Sequence, residues 1–175
     1  EETVAGLREY RKQGLPVSGE ACPHHLILTD ENIKNLNPNY KMNPPLRSAA
    51  DVEALVDGLA DGTMEAISTD HAPHGEEEKK QSIAKAPFGI VGSETAYALS
   101  VTHLVKTGKL TPLQLVEKMS TNPCRILSVP GGTLSVGAPA DITIADMDSE
   151  YVIDKNTFLS KGKNTPSVSY THLRA

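Results

Sequence analysis

Apolar positions recur three and four apart over residues 1–13, where Val4, Leu7 and Tyr10 stand among charges, and again over 48–60, where Val52, Leu55, Val56 and Leu59 share a face. Both stretches predict amphipathic helices. Gly14 closes the first at a C-cap position, and Ser48 opens the second with Asp51 three residues on in a capping-box pattern. Little sequence leads into the first helix, so the chain is expected to begin inside an element of something longer. Between the two, LPVSGEAC is a β-type run broken by Gly19, PHHLILTDENI turns into a loop or short helix, and NPNYKMNPPLR over 37–47 has no period. Its Pro and Asn content predicts a loop with a tightly set backbone.

The period shortens at residues 64–69, MEAIST, a β-prone run without Gly or Pro after the turn signal Asp61-Gly62. A strand entering a core is expected there, stopped by the polar residues that follow. Residues 75–85, GEEEKKQSIAK, are charged and nearly free of apolar side chains, which predicts a solvated, mobile loop able to act as a lid. Residues 93–106 read as a helix ended by Gly108. Thr111, Pro112 and Gln114 open another with a capping box and Pro at its first position, and Asn122-Pro123 start a short one through Leu127. From Gly131 onward, Ile142 and Ile144 alternate with polar residues, and Val152-Ile153 follow, which predicts a smaller unit of short antiparallel strands. The order is that of a parallel α/β layer followed by a β piece.

Composition narrows the function. With 175 residues, 38% hydrophobic and net charge -5, the chain is long enough for one real core and falls in the soluble globular class. It has no apolar run near the length of a membrane span and no signal-peptide pattern, so a cytoplasmic protein is expected. Cys22 and Cys124 are the two cysteines, too few for a disulfide framework, and each is expected to be a small buried apolar residue. Slight acidity, no Trp and no Lys/Arg-rich block exclude the footprint of a nucleic-acid binder.

The candidate chemistry lies in residues 64–74, MEAISTDHAPH. Asp70, His71 and His74 follow the expected strand, and Pro73 holds the connecting loop in a bend. A carboxylate and two imidazoles at a strand's C-terminal end stand where α/β and barrel enzymes keep their chemistry. An Asp there also serves as a turn or capping residue, and loop His residues are often solvated, so spacing alone leaves both readings open. His24 and His25 follow the other strand end, and adjacent His residues are expected to divide into one buried and hydrogen-bonded, one near the surface. Asn43 and Arg47 can hydrogen-bond an anionic or amide-bearing ligand or serve as turn and surface residues. Phe88-Gly89 and Gly92, ahead of a helix, allow backbone N–H groups to approach a ligand.

Taken together and in order, CPHHL, NPPLR, ISTDHAPH and PFGIVGSE resemble the bacterial-type dihydroorotases of the zinc-dependent amidohydrolase superfamily. The resemblance runs from the first helix to about Thr165. It implies an α/β fold, the C-terminal part of a metal-dependent (β/α)8 TIM barrel over 1–129 with the last two barrel strands, plus a piece of the appended small β-sandwich over 130–166. The tail 167–175 does not match the family and reads as unrelated sequence. The implied reaction is the reversible cyclisation of N-carbamoyl-L-aspartate to dihydroorotate in pyrimidine biosynthesis, with one or two zinc ions polarising the ring amide and activating water. Carried over residue by residue, Asp70 is the metal contact and the general base that passes a proton from water to the leaving nitrogen. Asn43, His74, Phe88 and Gly89 hold the substrate. His71, His24 and His25 match motif positions with no ligand role, and the other metal ligands belong to the family's earlier strands.

Within the same superfamily, allantoinase or dihydropyrimidinase is the alternative, and DHAPH with NPPLR favours dihydroorotase. A non-catalytic dihydroorotase-like subunit that scaffolds aspartate carbamoyltransferase is a second alternative, against which Asp70 and His74 argue. A third is a soluble α/β piece without activity of its own, which this polypeptide is expected to be in isolation, because a barrel of this type needs roughly 250 residues to close. Expected partners are the small-molecule substrate and a second copy or the carbamoyltransferase, with no nucleic acid and no membrane.

Overall fold

The computed structural model describes residues 1–168 and 171–173. The first apolar period forms helix α1 (Glu2–Lys12), and Gly14 beyond its end takes φ +74, where a side chain is strained. The chain enters a two-residue strand, β1 (Glu20–Ala21), and turns at Cys22 into the short helix α2 (Pro23–Ile27), with Pro23 in its first turn. A loop containing a 3-10 turn, Pro38–Tyr40, leads to α3 (Ala49–Ala60), where the Ser48 side chain accepts from the Asp51 N–H as its cap. The crossover ends in β2 (Ala66–Ile67), which pairs parallel with β1, Glu20 opposite Ala66 and Ala21 opposite Ile67. Parallel pairing across a helix is the βαβ arrangement the sequence order predicts.

One core holds this unit together. Val4 of α1, Leu26 of α2, Val56 and Leu59 of α3 and Ile67 of β2 are buried with Val101, Leu104 and Leu115 of later helices. Burying each such side chain contributes about 1.5–3 kcal/mol. A Cβ on Gly19, ahead of β1, would lie 2.6 Å from the Leu7 Cδ1, so the core side chains of α1 pack directly on the backbone there.

After β2 come α4 (Glu76–Lys79), α5 (Ala96–Ser100), which runs on as a π-helical turn, Val101–Val105, and α6 (Pro112–Val116), opened by the Thr111–Gln114 capping box. α6 continues through a second π turn, Glu117–Thr121, into α7 (Asn122–Leu127), so the two helices expected there form one run. No described helix is long and apolar enough to cross a membrane.

Two expectations are corrected. The first concerns residues 75–85, which are largely exposed as expected but include the short helix α4 and are fastened at Lys79. Lys79 is buried, and its Nζ donates to the carbonyls of Pro38 and Pro87, each at 2.9 Å. Lys41 Nζ adds bonds to the Ala84 and Ala86 carbonyls at 3.0 and 2.7 Å and sits 4.6 Å from the centre of the Phe88 ring. A stretch poor in apolar residues is thus fastened by ammonium groups that satisfy its backbone carbonyls.

The second concerns Ile142 and Ile144, which are exposed and lie in no strand among the described residues. A strand needs a partner for its N–H and C=O groups, and the nearest one formed is further on, where β3 (Glu150–Val152) pairs antiparallel with β4 (Thr171–Leu173). β4 falls in the 167–175 tail, of which residues 169, 170, 174 and 175 lie outside the described residues. Before β4 the chain returns to the α/β unit, where Ile153 and Phe158 pack with Val91.

Candidate functional site

The register of β1 and β2 builds the site. Continuing the ladder past Ala21 and Ile67 sets Cys22 opposite Ser68, and the structure joins them: Ser68 N–H donates to the Ala21 carbonyl at 3.1 Å, and Cys22 Sγ lies 3.4 Å from Ser68 Oγ. Two residues further, His24 faces Asp70, with Nε2 3.6 Å from Oδ2. Asp70 adopts φ +47, a left-handed conformation that Asp tolerates better than most residues and that ends the strand abruptly. The pair stands at the C-terminal edge of a parallel sheet.

His24 is buried, and burial, with His25 beside it, pushes its imidazole down to about 3. The ring is therefore neutral near pH 7 and keeps a lone pair available. Its Nε2 has no hydrogen-bond partner among the described residues, and 3.6 Å to Asp70 is too long for one. Two ligands of a tetrahedral metal with bonds near 2.0–2.2 Å stand about 3.3 Å apart, so this orphaned nitrogen and the facing carboxylate fit a shared cation. Cys22 and His25 lie close by, all three candidate donor atoms of Cys22, His24 and His25 being within 4.8 Å of one another. Both neighbours are otherwise engaged. Burial raises the Cys22 thiol to about 11 against the opposing Ser68 bond, and His25 Nε2 is 2.8 Å from the Pro44 carbonyl oxygen. The division expected of His24 and His25 is thus reversed in one respect, since the buried ring has an unbonded Nε2 and the outer ring's Nε2 is bonded.

A cavity of about 740 Å3 opens beside Cys22 and Asp70, lined by these two with His25, Ser68, Asn43 and Arg47 among others, whereas His24 lines a separate cavity with Leu99 and His103. Asn43 and Arg47 reach it from the 37–47 loop, which Met42 and Leu46 anchor in a small core with Ile90. Asp70 and Asn43 therefore share one space.

His74, Phe88 and Gly89 form a second group. His74 Nε2 is 2.7 Å from the Phe88 carbonyl oxygen, and its Nδ1 is 4.0 Å from Glu78 Oε2. Gly89 N–H donates to the Lys41 carbonyl at 2.9 Å. These donors are spent internally in this conformation, and neither His74, Phe88 nor Gly89 lines the cavity that holds Asp70. His71 braces the backbone instead. Its Nδ1 accepts from the N–H groups of Gly92 and Ser93, each at 3.2 Å, while its own backbone bridges to Ile90. Gly92 must be glycine, because a Cβ there would lie 2.3 Å from the Thr69 carbonyl oxygen.

Sequence motifs assign no ligand role to His24. Its place facing Asp70 follows from the common offset of the two strands, since CPHH and STDH follow their strands in the same register.

Residues 5–170 match the model of the amidohydrolase family. Over 165 residues, 94% of the chain, the sequence is 56% identical to the dihydroorotase of Bacillus licheniformis and 55% identical to that of Bacillus subtilis. The chain spans about 39% of the length of these curated relatives. Among solved structures, the L-hydantoinase (dihydropyrimidinase) from Arthrobacter aurescens superposes with TM-score 0.93 at 30% identity, covering 99% of this chain and 40% of its own. Dihydropyrimidinase from Brevibacillus agri superposes with TM-score 0.89 at 26% identity, covering 98% and 39%.

Proposed function

The chain belongs to the amidohydrolase family, and on that premise we propose that it is the C-terminal part of a dihydroorotase, interconverting N-carbamoyl-L-aspartate and dihydroorotate. Its fold is that of part of the larger barrel of these enzymes. The identity to named dihydroorotases supports the substrate, and the observation that carries the chemistry is the His24–Asp70 pair at one strand-end edge. In this reading residues 1–129 are barrel, 130–166 a partial sandwich segment and 167–175 a departure from the family. The two free thiols support a reducing, cytoplasmic setting.

The family is metal-dependent, and zinc is the metal we propose. Held by His24 and Asp70 with ligands from outside this chain, it would supply Lewis-acid activation of the ring amide and of water. The chain's own residues do the rest. Asp70 accepts the proton of the attacking water and returns it to the leaving ring nitrogen, a role suited to a carboxylate that touches both. His24, neutral and buried, would hold the ion without competing for that proton. Asn43 offers an amide donor and acceptor to the substrate from a loop already fixed by its own core.

Dihydroorotate carries a ring carboxylate that hydantoins and dihydropyrimidines lack, and His74 with the Phe88 and Gly89 backbone are the donors we assign to it. Their present bonds to the Phe88 and Lys41 carbonyls must be exchanged for bonds to that carboxylate on binding. The superposition on hydantoinases favours a second reading, a neutral cyclic amide as substrate. Steady-state assays of the complete polypeptide that carries this sequence separate the two. Dihydroorotate is expected to give the highest kcat/KM, and better turnover of hydantoin or dihydrouracil would replace the carboxylate assignment with the second reading.

A further inference from the structure

The segment that follows Phe158 lies more than eighty residues beyond the DHAPH motif, yet it is fastened to the site loops by side chains the reaction does not use. Asn164 is buried, and its amide is spent at both ends. Oδ1 accepts from the His74 N–H at 2.9 Å, while Nδ2 donates to the carbonyls of Ala72 at 3.3 Å and Gly89 at 3.2 Å. Its own carbonyl accepts from the Val91 N–H at 2.9 Å. One side chain thus ties the 72–74 turn to the 89–91 segment.

The surroundings allow little slack. A Cβ on Gly162 would lie 2.8 Å from His74 N, and one on Gly89, at φ +99, 2.5 Å from the Ala72 Cβ. Upstream, Glu94 Oε2 and Oε1 accept from the N–H groups of Leu159 and Ser160 at 2.7 and 3.0 Å, which holds the start of the segment against the same helix mouth.

We propose that Asn164 is a positioning residue for substrate binding, setting the spacing between the His74 turn and the Phe88-Gly89 backbone so that both face one substrate carboxylate. The inference rests on the carboxylate role proposed above for those groups. The chemistry of the contact demands an amide. A carboxylate of the same shape could accept from His74 N–H but would turn two donated bonds into contacts between a charge and the carbonyls of Ala72 and Gly89. Asn164 holds the His74 backbone N–H and not its ring, whose bond to the Phe88 carbonyl is made separately.

The test uses the complete polypeptide with Asn164→Asp and Asn164→Ala, reading hydrogen exchange, metal content, kcat and KM together. The His74 amide is expected to exchange faster in both variants. KM for dihydroorotate should rise roughly tenfold to a hundredfold, more in Asn164→Asp, with kcat within a few-fold and metal content unchanged. A merely structural role would lower the unfolding temperature and leave KM where it was. Unchanged exchange at His74, or faster exchange with unchanged KM, overturns the proposal. If Asn164→Asp does not accumulate folded, Asn164→Ser carries the same readings. If the unmodified protein does not turn over dihydroorotate, the substrate reading fails separately, and an unchanged KM for the cyclic amide it does hydrolyse then overturns the positioning role.

Discussion

His24 and Asp70 illustrate what residue types alone convey. The place of Asp70 just past a strand is legible from the motif ISTDHAPH, because polar residues after a β-prone run stop the strand. His24 is not, because its meaning depends on pairing: only the parallel register with β2 levels it with Asp70. Asn164 is still less legible, since a lone Asn in KGKNTP carries no pattern and its partners lie far away in sequence. The buried, neutral state of His24 has a measurable consequence. Its folded value of about 3 lies below the ordinary 6.5, so between those values the unfolded chain holds a proton that the folded chain refuses. Stability of the metal-free protein should therefore fall as pH drops from about 6.5 toward 3, by up to about 1.4 kcal/mol per pH unit from this group, with no contribution above 6.5. Urea midpoints against pH should show a shallower acid slope in His24→Gln, and identical slopes would place His24 in water.

Elements were legible where local signals suffice. The periods of α1 and α3, the Ser48 and Thr111 caps and the Gly14 and Gly108 stops all declare themselves in sequence and all form. The failures have one cause, the need for partners that sequence does not name. Ile142 and Ile144 alternate as a strand should, but no described strand pairs with them. The 75–85 stretch reads as free because it is charged, whereas burial pushes the Lys79 ammonium down to about 8, with Lys41 adding to it, and its bonds to Pro38 and Pro87 hold the stretch down. Lys79→Ala leaves two carbonyls without that donor, at a cost of about 1–3 kcal/mol. Hydrogen exchange over residues 76–88 should quicken in this variant while the α1 and α3 amides keep their protection. Uniform protection throughout would show that Lys41 alone suffices.

Across the whole molecule, the proposed metal and proton site sits at the shared edge of β1 and β2, with the proposed recognition groups on the 37–47 loop, the His74 turn and the Phe88-Gly89 backbone, the last two tied together by Asn164. The exposed Leu134, Val136 and Ile144 and a chain spanning about 39% of its relatives' length both fit a part whose remaining surfaces are completed by other sequence. In the proposed mechanism Asp70 is the residue on which metal binding and proton transfer meet. The most direct measurement is therefore turnover of dihydroorotate by the complete polypeptide with and without Asp70→Asn, with metal content determined on the same samples. A loss of kcat of at least about 10²–10⁴-fold is expected, the range of a lost general acid–base group. A variant that keeps near-normal turnover with its metal in place would contradict this role, because the proton would then travel by a route that does not include Asp70.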